Sequence, residues 1–268
     1  MSNLPKISVV VPSFNQAQFL ELTLRSILDQ QYPNLELIVI DGGSTDESPA
    51  IIGRYAEQIA YWCSEPDGGQ TQGIIKGFTH ATGEILCFLN SDDLFESGCL
   101  HEVGAFFASH PEADAVFGDT TWVDADGKPL RLQREIPFNR FLWTYTYNYI
   151  PGMSMFWRRS IYDRAGGFNP EFQLAFDADL WARIDDHGSI AHQSRLWSRM
   201  RFYPEQKNRR LRERSDQEDR LIRQRYWKRQ QAPRTLWLRR KLAITLRILW
   251  RLVTGCYTLR YRRYLEKV

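Results

Sequence analysis

The chain of 268 residues has no run of about 18 consecutive apolar residues, so nothing in it reads as a membrane-spanning helix. Cysteine is scarce. The four present, Cys63, Cys87, Cys99 and Cys256, are scattered without a CxxC pair, which excludes a small disulfide framework and points to reduced thiols and a cytoplasmic protein. Neither a GxGxxG fingerprint nor a GxxxxGK[ST] loop follows the first apolar segment, which argues against dinucleotide binding and P-loop ATPase chemistry. That segment, Ile7–Val11, is too short for a signal peptide. No internal repeat is visible. With 43% hydrophobic and 25% charged residues, full disorder and collagen-like structure are also excluded.

Charge is unevenly distributed. The formal net charge is only +3, yet 22 of the 35 Lys and Arg lie between Arg199 and Lys267, against 6 of the 32 Asp and Glu. The tail therefore carries +16 and the rest −13, an asymmetry that suggests different partners for the two parts.

The first hundred residues alternate between two periodicities. Strands are expected at Ile7–Val11, Leu35–Ile40, Ile59–Cys63 and Glu84–Leu89. Helices are expected at Gln16–Gln30, within Ser44–Tyr55 with Ser44 or Thr45 as cap, and within Gly69–Ala81. Such alternation implies a parallel sheet covered on both faces, with ligands beyond the carboxyl ends of its strands. The polar clusters fall there: Ser13-Phe14-Asn15, Asp41-Gly42-Gly43-Ser44, Glu65-Pro66-Asp67 and Asn90-Ser91-Asp92-Asp93. Further along, Ala115–Gly118 and Thr121–Val123 read as strands around a turn, and a helix is expected to start near Asp177. Beyond Pro204 comes an Arg-rich helical stretch, then Pro233, then an apolar-basic helix over Thr235–Tyr264. The resulting division is a body over 1–207 and a basic helical extension over 208–268.

Adjacent carboxylates at a strand end, as at Asp92-Asp93, can hold a hard divalent cation together with water and phosphate oxygens. Equally, Ser91 or Asp92 could cap a helix over Leu94–Phe107. The loops at Asp41 and Asp67 could approach a phosphate or nucleotide through their glycines, or be plain turns. Asp177 could be a general base for a hydroxyl nucleophile, or simply a favourable charge in a first helical turn.

The ordered set Ser8–Asn15, Leu37–Asp46, Ser64–Gln70, Ala81–Ile85 with Leu89–Asp93, and Gly166-Gly167-Phe168 leading to Asp177–Arg183 resembles the family 2 glycosyltransferases over roughly residues 5–207. The resemblance implies a GT-A fold: an α/β, Rossmann-like, mostly parallel sheet flanked by helices. It implies inverting transfer of a sugar from a nucleotide-sugar donor to a hydroxyl acceptor, with Mn or Mg. The acceptor would be a glycan or lipid-linked glycan, in cell-surface polysaccharide synthesis. It further implies that Asp93 ligates the cation and Asp92 contacts ribose or metal-bound water. Asp41 would lie in the nucleotide turn, Pro12, Ser13 and Asn15 would edge base and ribose, and Asp67 would face the nucleotide. Asp177 would activate the acceptor, with Arg183 one helical turn further on.

The chain departs from the family pattern in three places. Gly42 stands where relatives often carry a second Asp, Ile75 where Asn is common, and Tyr203 where a His often precedes the Pro. The last change shifts the expected diphosphate contact to Arg201 and Lys207.

In the tail, Arg240, Arg247 and Arg251 are spaced to stack on one helical face, among Leu242, Leu246, Leu249, Trp250 and Val253. Such a helix suits an anionic membrane surface at the inner membrane face, or packing on the body or a second chain. Nucleic-acid binding is set aside, because apolar content is high and no recognised nucleic-acid motif is present. A non-catalytic nucleotide-sugar-binding or membrane-associated scaffold on the same fold is the alternative to an enzyme. A sugar nucleotidyltransferase is disfavoured, because Pro12-Ser13-Phe14-Asn15 is not a Gly-rich basic loop.

Overall fold

The computed structural model describes residues 4–229 and 235–256. A nine-stranded mixed sheet runs through it, in the order β3-β2-β1-β4-β8-β6-β9-β5 with β7 beside β6. The first half is the parallel part. Strands β1 (Ile7–Ser13), β2 (Leu35–Asp41), β3 (Tyr61–Ser64) and β4 (Ile85–Phe88) pair in parallel, with α1 (Ala17–Leu28), α2 (Ser48–Arg54) and α3 (Gln70–His80) as crossovers. Val9, Val10, Val11, Ile38, Val39 and Ile40 are all fully buried, as strands covered on both faces require.

The second half inverts direction. β6 (Ala115–Val123) and β8 (Met155–Arg158) are antiparallel to each other, and β8 is antiparallel to β4. The long β9 (Ile190–Arg201) then runs parallel to β6 and pairs antiparallel with the two-residue β5 (Leu94–Phe95). β7 (Pro129–Gln133) is an antiparallel appendage of β6. The helices of this half are α4 (Cys99–Ser109), α5 (Arg140–Tyr145), α6 (Arg159–Arg164), α7 (Phe176–His187), α8 (Lys207–Arg210), α9 (Arg212–Arg229) and α10 (Leu236–Val253).

Four expectations change. The helix expected at Leu94–Phe107 begins only at Cys99, because Leu94 and Phe95 bridge to Arg199 and Ser198; neither Ser91 nor Asp92 caps it. Ser44 does not cap α2, because its amide and hydroxyl are both bound to Asp41. The two strands expected around a turn near residue 119 are one strand, whose pairing with β9 shifts at Gly118–Thr120. Finally, the basic helix turns two of its three arginines inward. Arg247 pairs with buried Glu135 at 2.8 Å and lies over Tyr147 and Tyr149, while Arg251 donates to the carbonyls of Arg134 and Cys256. Arg240 stays exposed, and the outward face is apolar: Trp237, Leu238, Leu242, Leu246, Leu249 and Val253. Pro233 and the continuation of this helix to Tyr264 lie outside the described residues. No helix of the described residues is long and apolar enough to cross a membrane.

Candidate functional site

The carboxyl ends of β1 to β4 open into one cavity of about 950 Å³. Its wall includes Pro12, Ser13 and Asn15 from the end of β1, Asp67 from the loop after β3, Asp92 after β4, and Tyr203 and Lys207 after β9. Of the expected donor-side residues, six therefore converge: Pro12, Ser13, Asn15, Asp67, Asp92 and Lys207. Ser13 Oγ is buried in this wall without a hydrogen-bond partner among the described residues.

Asp41 lies beneath the wall, fully buried. Its carboxylate accepts the Ser44 amide and the Ser44 and Ser64 hydroxyls, while Ser44 Oγ accepts the Asn15 amide. Asp41 thus shapes the turn and does not line the cavity.

Asp67 occupies a cradle made by two glycines. A Cβ on Gly42 would meet its carboxylate at 3.1–3.2 Å, and one on Gly73 would meet Oδ2 at 2.5 Å. Its Oδ1 accepts the Gly69 amide at 2.8 Å. Where a second Asp side chain would begin in the β2 turn, the Asp67 carboxylate closes the space instead.

Asp92 lines the cavity; Asp93 is buried next to it and does not. Tyr203 donates its hydroxyl to Asp92 Oδ2 at 2.8 Å. Asp93, only 1% exposed, accepts the Arg201 amide on Oδ1 and the Asn90 side chain on Oδ2. Burial raises the proton affinity of both. The charge of Asp92 adds to that of burial at Asp93, which is pushed well above the carboxylate range. Two adjacent, desolvated oxygen donors in mutual repulsion fit a hard divalent cation, which would relieve that repulsion. Among the described residues no group of three or more His, Cys, Asp or Glu gathers around a metal position. A cation held by Asp92 and Asp93 would take its remaining ligands from water and substrate.

Arg201 is not where a diphosphate contact needs it. It is 1% exposed, donates to the Ala125 carbonyl, stacks over Phe19 and does not line the cavity. Its backbone N–H, not its guanidinium, bonds to Asp93. Lys207 and Arg210 are cations that do line the cavity, and Lys207 donates to Gln70 Oε1 at 3.1 Å and to the Gln173 carbonyl at 3.0 Å. Burial lowers the pKa of Lys207.

Asp177 sits in the first turn of α7 and does not line the cavity. Phe176 packs on Phe88 and Phe168 with ring centroids 5.6 and 5.7 Å apart, which fixes the start of the helix on the end of β4. Gly152 separates Phe88 from Asp177; a Cβ there would meet Phe88 Cζ at 3.2 Å and Asp177 Oδ2 at 3.3 Å. Asn148 donates to Oδ2 at 3.1 Å, and the Ala178 amide donates to Oδ1 at 2.7 Å. Desolvation dominates these bonds and pushes the Asp177 carboxyl up to about 6. Arg183 points elsewhere, bridging Asp179 and the carbonyls of Ala165 and Gly167.

Two features escaped sequence reasoning. Tyr203 binds Asp92, a contact foreshadowed only by its departure from the family pattern. Glu218 of α9 gathers the amides just ahead of α7, and nothing in its Arg-rich surroundings signalled that.

The family model for glycosyl transferase family 2 matches residues 8–168. An uncharacterised glycosyltransferase of Mycobacterium tuberculosis is 33% identical over 187 residues, covering 68% of this chain and 70% of that protein. A PGL/p-HBAD biosynthesis glycosyltransferase of Mycobacterium bovis is 30% identical over 180 residues, covering 66% and 68%. Among solved structures, Staphylococcus aureus TarS 1-349 in complex with UDP-GlcNAc aligns with a TM-score of 0.62 at 21% identity, covering 74% of this chain and 59% of that one. The mannosyltransferase PcManGT of Pyrobaculum calidifontis, in complex with GDP-Man and Mn2+, gives 0.63 at 19% identity, covering 98% and 79%. These likenesses bear out the GT-A architecture expected of the sheet and its helices. The chain belongs to glycosyl transferase family 2.

Proposed function

We propose that this protein transfers a sugar, with inversion, from a nucleoside-diphosphate sugar to a hydroxyl acceptor. The single observation that carries the reading is the shared cavity at the strand ends, with Asp92 in its wall and the buried Ser13 Oγ unpartnered in it. Pro12, Ser13, Asn15 and Asp67 border the nucleoside, over a turn held by Asp41; Lys207 supplies the positive charge at the diphosphate, in place of Arg201. Asp92 and Asp93 hold Mn or Mg. Such a cation, when bound, neutralises the departing diphosphate. Asp177 takes the proton of the acceptor hydroxyl as its oxygen bonds to the anomeric carbon, opposite the leaving nucleoside diphosphate. A carboxyl that titrates at about 6 is suited to that role near neutral pH. Residues 1–207 form the catalytic domain and 208–268 a basic helical extension, of which α9 and α10 pack on it.

The acceptor we propose is a glycan or lipid-linked glycan, in the synthesis of a cell-surface polysaccharide. A relative's name refers to PGL/p-HBAD biosynthesis, and α10 offers an apolar outer face with Arg240 and Lys241 exposed at its start. That face would rest on the cytoplasmic surface of an anionic membrane.

A thermal-shift screen of UDP-, GDP- and dTDP-sugars with and without Mn tests the donor reading, since a ligand of the folded state raises its apparent stability. One nucleotide class should stabilise, and more so with Mn; no response to any would overturn the reading. For the membrane, Trp237→Ser/Leu249→Ser should pellet less with phosphatidylglycerol vesicles than the unaltered chain. Equal pelleting removes that part.

A further inference from the structure

Glu218 lies in α9, beyond the span that the family model matches, and is 7% exposed. One of its oxygens, Oε2, accepts three consecutive backbone N–H groups: Gln173 at 3.0 Å, Leu174 at 2.8 Å and Ala175 at 3.0 Å. These residues immediately precede α7, whose second residue is Asp177. Three successive amides turned to one point make an anion-binding concavity, and here the chain fills it with its own carboxylate. Burial works against the charge of Glu218. The bonds from Ala175, Leu174 and Gln173, with Arg214, outweigh it and keep the pKa below the usual value.

The same segment is gripped from its other side. Lys207 donates to the Gln173 carbonyl and to Gln70 Oε1, and Thr71 Oγ1 donates to the Phe172 carbonyl at 2.8 Å. Gln70 donates on to Asn90 at 2.7 Å, and Asn90 donates to Asp93 at 3.0 Å. An unbroken series of hydrogen bonds therefore joins Glu218, through the 173–175 segment, to the Asp92–Asp93 end of the cavity.

We propose that Glu218 is a positioning residue for Asp177: by holding the amides of Gln173, Leu174 and Ala175 it sets where α7 starts and where the base sits relative to the donor. The inference rests on Asp177 being the base, as proposed above. It makes α9 a working part of the site. Charge is required at this point, because bonds from three amides to one oxygen are much stronger when that oxygen belongs to a carboxylate.

The test uses the full chain as wild type, Glu218→Gln, Glu218→Asp and Asp177→Asn. UDP-GlcNAc and GDP-mannose with Mn are the donors, release of nucleoside diphosphate is the readout, and amide hydrogen exchange at 173–175 is followed in parallel. Glu218→Gln should lose exchange protection at those amides by about tenfold. Its kcat should fall by about 100-fold, the scale of a small misplacement of a reacting group, while the donor KM stays within about twofold. Glu218→Asp keeps the charge, should fall between the two, and carries the test alone if Glu218→Gln does not fold. Wild-type kcat in Glu218→Gln, with Asp177→Asn inactive, overturns the positioning role alone. Losses in Glu218→Asp as deep as in Glu218→Gln, spread equally over kcat and KM, also overturn it, since a merely structural contact would behave so. Full turnover by Asp177→Asn overturns the base assignment, and the inference with it.

Discussion

The two carboxylate ends of the site are built on different principles. Asp92 and Asp93 follow directly from a buried parallel strand; burial raises the proton affinity of both, and the charge of Asp92 raises that of Asp93 further. Asp177 is a single carboxylate on a helix whose start is fixed by the Phe88–Phe168–Phe176 aromatic cluster and by a glutamate from the tail. Desolvation rather than a close like-charged neighbour is the main cause of its shift. A repelling pair gains most from a cation, whereas a lone desolvated carboxylate gains most from a proton. Under the proposed function, that contrast suits one end to the leaving group and the other to the acceptor.

Three experiments would break or sharpen that contrast. The largest effect is expected at the lone carboxylate. Asp177→Asn should lower kcat by about 10² to 10⁴ while donor binding persists. Because the base works ionised and Asp177 keeps its proton up to about pH 6, wild-type kcat should fall on the acid side of that value and level off above it. An acid limb that survives in Asp177→Asn would break the assignment. The next effect is at the pair. Asp93→Asn should abolish the Mn-dependent part of donor stabilisation, whose total is about 2.7 kcal/mol when ligand stands at a hundredfold its Kd. An Mn-dependent shift of unchanged size would leave the two ends indistinguishable. The smallest concerns Lys207, which bonds to Gln70 and to the Gln173 carbonyl ahead of α7. Lys207→Gln should raise the donor KM about tenfold, the equivalent of one charge-assisted contact. A loss confined to kcat would move Lys207 from the diphosphate to the alignment of α7.

The two ends also differ in how much of them the sequence disclosed. β1 to β4 and their crossovers were legible because buried parallel strands are written as short β-branched runs, each followed by a polar strand end. The placement of Pro12, Ser13, Asn15, Asp67 and Asp92 around one cavity follows from that topology. The second half carries no such periodic code. The shift at Gly118–Thr120 read as a turn, and the sheet role of Leu94 and Phe95 depends on Arg199 and Ser198, which are remote in the chain. Arg201 was expected at the diphosphate because sequence order says nothing about which side of β9 its guanidinium takes. The arginines of α10 are spaced to share one face, but the spacing does not say which way that face turns, and Arg247 pairs with buried Glu135. Leaving that carboxylate alone in the interior would be costly, so the pair fixes which face of the helix turns in.

The sequence by itself determined the family, the parallel half of the sheet and the carboxylates at its strand ends, because these depend on local periodicity and on spacing along the chain. Only the tertiary structure decided that Asp41 supports the wall without lining it, that Lys207 and not Arg201 reaches the cavity, and that Glu218 holds the segment ahead of Asp177. Each of these is settled by which buried polar group finds a partner when distant segments meet, and that is a property of the packed chain.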